Sequence, residues 1–270
     1  MCRLLGIVSS EPAEFRIVLR EAPRSMAALS REHRDGWGLA VFALPANGGD
    51  GWRLHKGIAC ASEDEQFHRL AVGSRGELLI AHIRQRTVGH TSLENTHPFR
   101  SGRWVFAHNG TIKDVDFVRA GTSHARLEEI RGQTDSELFF AFIMSRLDAA
   151  GLADSPASLA TDAVVTKVAK DARARTDFGA LNFLLSDGET LYAHRLGRTL
   201  CILERGPDDV VRSVRSSRDG TLVQTPWSQR ASAIIIASER MTDEPWQTIE
   251  DGILLRIDRS PLPRWRLLAA

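Results

Sequence analysis

A chain of 270 residues is long enough to bury a substantial core, as one large domain or two ordinary ones. Its 35 basic and 34 acidic side chains nearly cancel, so nothing favours nucleic acid or an anionic membrane, and a small molecule is the expected partner. No apolar run approaches the roughly 20 residues of a membrane span, and Glu11 and Glu14 arrive too early for a secretory signal. The three cysteines, Cys2, Cys60 and Cys201, suit neither a disulfide framework nor a zinc site, which points to a reducing cytoplasm.

Strand-length apolar clusters recur at Arg3–Val8, Trp37–Phe42, Leu78–Ile83 and Trp104–Ala107. A helix is expected over Pro12–Ser30, a second over Glu63–Val72, and a third over Asp135–Ala150, where Leu138, Phe139, Phe142, Ile143 and Leu147 share one face. Thr134 followed three residues later by Glu137 reads as a capping box for that third helix. A fourth helix is expected over Ala157–Arg175. Strand character returns at Leu181–Leu185, Leu191–His194, Leu200–Leu203, Ala233–Ala237 and Ile253–Ile257, with Ser186 to Glu189 as a hairpin turn and Leu254 to Leu268 as terminal strand material. Pro45–Gly51 and Gly206–Thr225 read as surface excursions rather than linkers, so one domain over residues 1–270 is expected, with strand-rich halves around a helical middle.

Cys2 follows the initiator methionine directly. Trimming of Met1 would leave one residue with both a thiol and a free α-amine. An α-amine titrates near ~7.7–8.0 and a thiol near ~8.5, so the amine can accept the thiol proton near neutrality and assist attack on a carbonyl. The alternative is a small apolar residue that merely precedes a strand.

Three further stretches carry candidate chemistry. In the first, Arg84 ends a strand and opens a loop without apolar periodicity; its planar fork matches a carboxylate, with Thr87 adding a hydroxyl, unless it is only a surface arginine paired with an acidic neighbour. In the second, the strand Trp104–Ala107 runs through His108 into Asn109-Gly110. That dipeptide is either a hairpin turn or an oxyanion hole made of the Asn109 amide and the Gly110 N–H. In the third, Asp135 sits in the first turn of a helix, either as an ordinary cap or as the partner of a substrate ammonium.

Taken together, Cys2, His82-x-Arg84-x-x-Thr87-x-Gly89, His108-Asn109-Gly110 and Thr134-Asp135-Ser136-Glu137 resemble the class II glutamine amidotransferases, which are N-terminal-nucleophile hydrolases. The stretches His33 to Gly38, Glu94 to Phe99 and Asn182 to Gly188 resemble the stand-alone glutaminase subgroup, so the likeness runs from Cys2 to about Trp246. It implies an α+β fold of four αββα layers with two stacked antiparallel sheets. It also implies roles: Cys2 attacks the γ-amide of glutamine to form a thioester, Asn109 and Gly110 hold the oxyanion, Arg84 and Thr87 hold the α-carboxylate, and Asp135 holds the α-ammonium. No metal and no cofactor are expected. The chain departs from the family pattern in having Gln85 where an aromatic residue commonly follows the arginine, and Glu32 where an arginine commonly precedes the early aspartate.

The charge logic stands beside the resemblance: one arginine and one aspartate are the minimal complement to an α-amino acid headgroup. Ammonia would pass to a separate synthase partner, or the enzyme would simply hydrolyse. Its alternatives are a hydrolase of a larger γ-glutamyl metabolite, as in thiol-histidine biosynthesis, and a non-catalytic amino-acid sensor. Cys60 and Cys201 are expected to be ordinary buried thiols, and His82, His97 and His108 to hold loops through hydrogen bonds.

Overall fold

The structure, a computed structural model, describes residues 2–45, 50–206, 213–215, 222–224 and 231–268. In chain order the first half comprises β1 (Arg3–Glu14), α1 (Met26–Ser30), β2 (Trp37–Phe42), β3 (Trp52–Gly57), α2 (Glu65–Gly73), β4 (Arg75–Ile83), β5 (Phe99–Ser101) and β6 (Trp104–Ile112). Helices α3 (Val115–Ala120), α4 (His124–Glu128), α5 (Asp135–Ala149) and α6 (Leu159–Arg173) follow. The remaining strands are β7 (Gly179–Ser186), β8 (Thr190–His194), β9 (Cys201–Arg205), β10 (Ser213–Arg215), β11 (Leu222–Gln224), β12 (Ala233–Ala237), β13 (Gln247–Thr248), β14 (Leu254–Asp258) and β15 (Arg264–Leu268).

Among the described residues two large antiparallel sheets form, ordered β13-β9-β12-β1-β4-β2-β3 and β15-β14-β8-β7-β6-β5. Side-chain alternation along each strand gives each sheet two apolar faces. Leu4, Val8 and Ile80 from the first sheet pack against Val105, Ala107 and Leu184 from the second, which makes the layer between the sheets. On its outer face the first sheet packs Leu5, Ile7 and Leu79 against Phe15, Met26 and Phe67 of the α1 and α2 region. The second sheet packs Phe106 and Phe183 against Phe139 and Phe142 of α5 and Val165 of α6. The molecule is therefore α+β, with the four αββα layers expected.

Several boundaries differ from expectation for identifiable reasons. The helix expected over Pro12–Ser30 begins only after β1 ends at Glu14, and it is broken into a single π-helical turn at Ile17–Glu21 and the short α1. Pro23 holds the residue before it, Ala22, extended at ψ 148, which stops the first turn. Asp64 caps α2 by accepting from the Gln66 N–H at 2.8 Å, so that helix starts two residues later than expected. Helix α5 matches its expected span but is buried nearly all round, Phe140, Ala141 and Met144 included, because α3, α4 and α6 cover the flanks that one apolar face would have left open.

At the start of α5 only half of the capping box forms. Thr134 accepts from the Glu137 N–H at 3.2 Å, while the Glu137 carboxylate reaches past it to the N–H groups of Arg131 at 3.1 Å and Gly132 at 2.7 Å. Of the expected excursions, residues 46–49 and most of Gly206–Thr225 lie outside the described residues; within the latter, β10 and β11 pair antiparallel.

Candidate active site

Cys2 lies immediately before β1, in step with Leu4 and Val8, whose side chains enter the layer between the sheets. Its half-buried thiol meets the end of β4: Sγ donates to the Gln85 carbonyl at 3.2 Å and accepts from the Gln85 N–H at 3.2 Å. Burial pushes the thiol up, against the lowering effect of the Gln85 N–H and the nearby Arg84 charge. Gln85 in turn reaches His33, whose Nδ1 lies 3.2 Å from the Gln85 Oε1. A carbonyl-type oxygen only accepts, so His33 carries its proton on Nδ1. Burial lowers the affinity of that ring for a second proton.

Arg84 is only 3% exposed, so it is not the surface arginine of the alternative reading. Its Nη1 donates to the His90 carbonyl at 3.2 Å and its Nη2 to the Val88 carbonyl at 3.0 Å, folding the loop back over the guanidinium. Among the described residues no carboxylate lies within ion-pair distance of it, and three of its five N–H donors remain for a ligand. A buried cation without an ionic partner is costly, and an anionic ligand group relieves that cost. The first turn of this region is fixed by the early glycine-rich stretch: the Arg84 N–H donates to the Gly36 carbonyl at 2.8 Å, and Asp35 accepts from the Arg86 N–H at 2.8 Å. Thr87 stands on the same loop with an exposed side chain.

Asn109-Gly110 is not a hairpin turn. Strand β6 continues through both residues to Ile112, pairing Asn109 with Asn182 and Gly110 with Leu181. In an antiparallel pair, alternate residues direct their backbone groups to opposite edges. The Leu181 N–H is taken by Leu196 at 2.8 Å and the Lys113 N–H by Phe178 at 2.9 Å, so residues 108, 110 and 112 direct theirs away from β7. Along that edge His82 lies against the His108 backbone, and Asp135 Oδ2 accepts the Ile112 N–H at 2.6 Å. Between them the Gly110 N–H faces the edge beyond the end of β5. Asn109, 6% exposed, alternates with Ala107 and so shares the face between the sheets with Cys2.

Asp135, the first residue of α5, spends one oxygen on Ile112; among the described residues the other has only the Ser136 hydroxyl, at 3.5 Å. His108 spans the same corner, with Nε2 at 3.0 Å from the Ala180 carbonyl and Nδ1 at 2.8 Å from Ser136 Oγ. His108 is hydrogen-bonded, but to strand β7 and helix α5 rather than to a loop, and His82 and His97 do not hold loops either. Their rings meet at 4.3 Å, tilted by 42°, and among the described residues none of the four nitrogens has a hydrogen-bond partner. They fill the layer between the sheets, where burial keeps both neutral. Cys60 and Cys201 are buried thiols, and among the described residues no group of three or more His, Cys, Asp or Glu is placed to hold a metal. Nor is any described helix long and apolar enough to cross a membrane.

The predicted residues thus fall into two groups: Cys2 and Arg84 meet at Gln85, and Gly110 and Asp135 lie at the end of β6. A cleft of about 560 Å³ lined by Phe42, Asp50, Arg100 and Glu189 lies at the far end of β2 from this corner and takes no part in it. Sequence reading missed the thiol cradle, because a backbone contact carries no residue signature; Gln85 registered there only as a departure from pattern.

The comparisons fit this geometry. The sequence profile of the family described as glutamine amidotransferases class-II matches residues 1–262. A Haemophilus influenzae protein provisionally named as a glutamine amidotransferase is 30% identical, across 93% of this chain and 82% of its own. A Mycobacterium tuberculosis protein named gamma-glutamyl-hercynylcysteine sulfoxide hydrolase is 31% identical, across 79% of this chain and 84% of its own. In fold, the crystal structure of a predicted glutamine amidotransferase from Pseudomonas aeruginosa covers 100% of both chains at TM-score 0.65 and 23% identity. The chain belongs to the class II glutamine amidotransferases.

Proposed function

We propose that the protein hydrolyses the γ-amide of glutamine through Cys2, in one catalytic domain of a cytoplasmic protein. The observation that carries this reading is the thiol held at Gln85 beside Arg84, a buried guanidinium with no carboxylate partner among the described residues.

After removal of Met1, the α-amine of Cys2 takes the thiol proton as sulfur attacks the γ-carbonyl. The oxyanion is held by the Gly110 N–H and the Asn109 amide. Collapse breaks the C–N bond, the amine returns the proton to the leaving nitrogen, and ammonia departs. Water then cleaves the thioester, giving glutamate and the free thiol. Arg84 and Thr87 hold the α-carboxylate, and the less engaged oxygen of Asp135 holds the α-ammonium. Ammonia is released to solvent or to a separate synthase.

A second reading keeps the headgroup contacts and changes the leaving group. It is favoured by the 31% identical relative named as a hydrolase of a γ-glutamyl conjugate. Both are tested by measuring glutamate release by the Met1-free protein from glutamine and from N-alkyl γ-glutamyl amides, with Cys2→Ala as control. Preference for glutamine supports the first reading and preference for the conjugates the second. Release from none of them, with glutamine still bound, would make the protein a sensor.

A further inference from the structure

Two loops of opposite function meet at one buried amide. Asn95 is fully buried. Its Nδ2 donates to the His90 carbonyl at 2.9 Å, the same oxygen that receives Arg84 Nη1 at 3.2 Å. Its Oδ1 accepts from the Gln133 N–H at 2.6 Å, two residues before Asp135. Glycines stand on both sides of this amide. A Cβ at Gly89, where φ is +71, would lie 2.9 Å from Nδ2, and one at Gly132 would lie 2.5 Å from Oδ1. The two loops therefore approach each other as closely as an Asn side chain permits, and only because neither carries a side chain at the point of contact.

We infer that Asn95 is a positioning residue which sets the spacing between Arg84 and Asp135, and with it the recognition of the α-amino acid headgroup. The inference rests on the functional reading above. An α-carbon holds its carboxylate and its ammonium at one fixed separation and one handedness. A site that reads both charges needs its cation and anion held at that spacing before the substrate arrives. The Arg84 loop is irregular and Asp135 begins a helix, so no sheet ladder joins them; the Asn95 amide does so directly, with a second tie where His90 Nδ1 meets Gln133 Oε1 at 3.0 Å. A single amide that satisfies one donor and one acceptor on opposite loops acts as a gauge rather than a general brace.

The test compares wild type, Asn95→Ala and Gly132→Ala in the Met1-free protein. Melting temperature, glutamine kinetics with both enantiomers, and the iodoacetamide alkylation rate of Cys2 are read for each. Loosening the gauge raises KM for L-glutamine roughly 10- to 100-fold. It leaves kcat within about threefold, because the thiol cradle and the oxyanion donors are untouched. The preference for L- over D-glutamine narrows by about tenfold or more, since handedness is read by the Arg84 and Asp135 contacts taken together with the side-chain amide held at Cys2. Cys2 alkylation by iodoacetamide, which has no headgroup, stays at the wild-type rate. Gly132→Ala pushes on the amide, and on the Glu137 carboxylate 2.7 Å from the added Cβ, without removing either, and gives the same pattern if Asn95→Ala fails to fold. Variants that melt lower yet keep wild-type KM and enantiomer preference overturn the inference and leave the functional reading intact. A wild type that cleaves no γ-glutamyl amide overturns both.

Discussion

The Gln85 backbone engages the Cys2 thiol with both of its polar groups, N–H to Sγ and Sγ to carbonyl, each at 3.2 Å. The carbonyl favours the protonated thiol and the N–H favours the thiolate, so the pair fixes where sulfur sits without committing its charge. Burial tips that balance toward the thiol. In the proposed mechanism ionisation falls to a base exposed by removal of Met1, the α-amine. Alkylation of Cys2 by iodoacetamide in the form that retains Met1 should keep climbing with pH beyond the ordinary thiol range, while glutamine turnover by the trimmed form should already be near its maximum around neutrality. A plateau of alkylation below pH 8 in the Met1-retaining form would contradict this.

Arg84→Lys separates charge from geometry. A lysine keeps the cation but cannot span the Val88 and His90 carbonyls as the guanidinium does. Each charge-assisted hydrogen bond lost is worth about 1.5–3 kcal/mol. KM for glutamine should rise by about 100-fold, with a smaller effect on kcat. Unchanged KM, read from steady-state kinetics, would remove Arg84 from headgroup recognition.

Gly110 is a steric requirement as well as the proposed oxyanion donor. A Cβ there would stand 1.9 Å from the Ala180 carbonyl and 2.6 Å from His108 Nε2, both in the packed corner that carries Asp135. Gly110→Ala should cost about 1–3 kcal/mol or more by urea denaturation and abolish turnover. Gly73→Ala is the control: nothing lies within 4 Å of its Cβ, and at the end of α2 it should be neutral or stabilise by about 0.5–1 kcal/mol.

Buried histidines make the fold sensitive to acid. Burial lowers His82 from 6.5 to about 3 and His194 to about 4. Between those values and 6.5 the unfolded chain binds protons that the folded chain refuses. Stability is therefore full above pH 6.5 and falls as the pH drops toward 4. Each histidine should cost about 2 kcal/mol at pH 5. The urea midpoint measured at pH 7.5 and pH 5.0 should fall accordingly, and His194→Asn should shrink the difference; equal midpoints at the two pH values would refute the effect.

Periodicity carried much of the fold and little of the site's wiring. Core strands such as Trp37–Phe42 and Ala233–Ala237 are apolar on both faces because each lies in a sheet covered on both sides, and their sequences show it. Strand β3, Trp52-Arg-Leu-His-Lys-Gly57, was hidden because it lies at the sheet edge, where solvent exposure tolerates polar residues. The extension of β6 through Asn109-Gly110 was hidden for a different reason: local turn preference points one way, and pairing with β7 overrides it. At the candidate site, residue types singled out Cys2, Arg84 and Asp135 as the proposed groups, since a thiol, a fork and a carboxylate have few substitutes. Gln85 acts through its backbone, which carries no residue signature, and Asn95, although it lies in the matched stretch Glu94 to Phe99, bonds to a partner 38 residues away that the stretch does not name.

The most direct test of the central claim is intact-mass analysis before and after exposure to a diazoketone analogue of glutamine, which alkylates an attacking thiol held beside a bound headgroup. A protein lacking Met1 should gain one adduct, mapped to Cys2, suppressed by excess glutamine and absent in Arg84→Lys at the same concentration. A Met1-free protein that acquires no adduct, or acquires it at Cys60 or Cys201, would contradict the assignment of Cys2 as the nucleophile of a glutamine site.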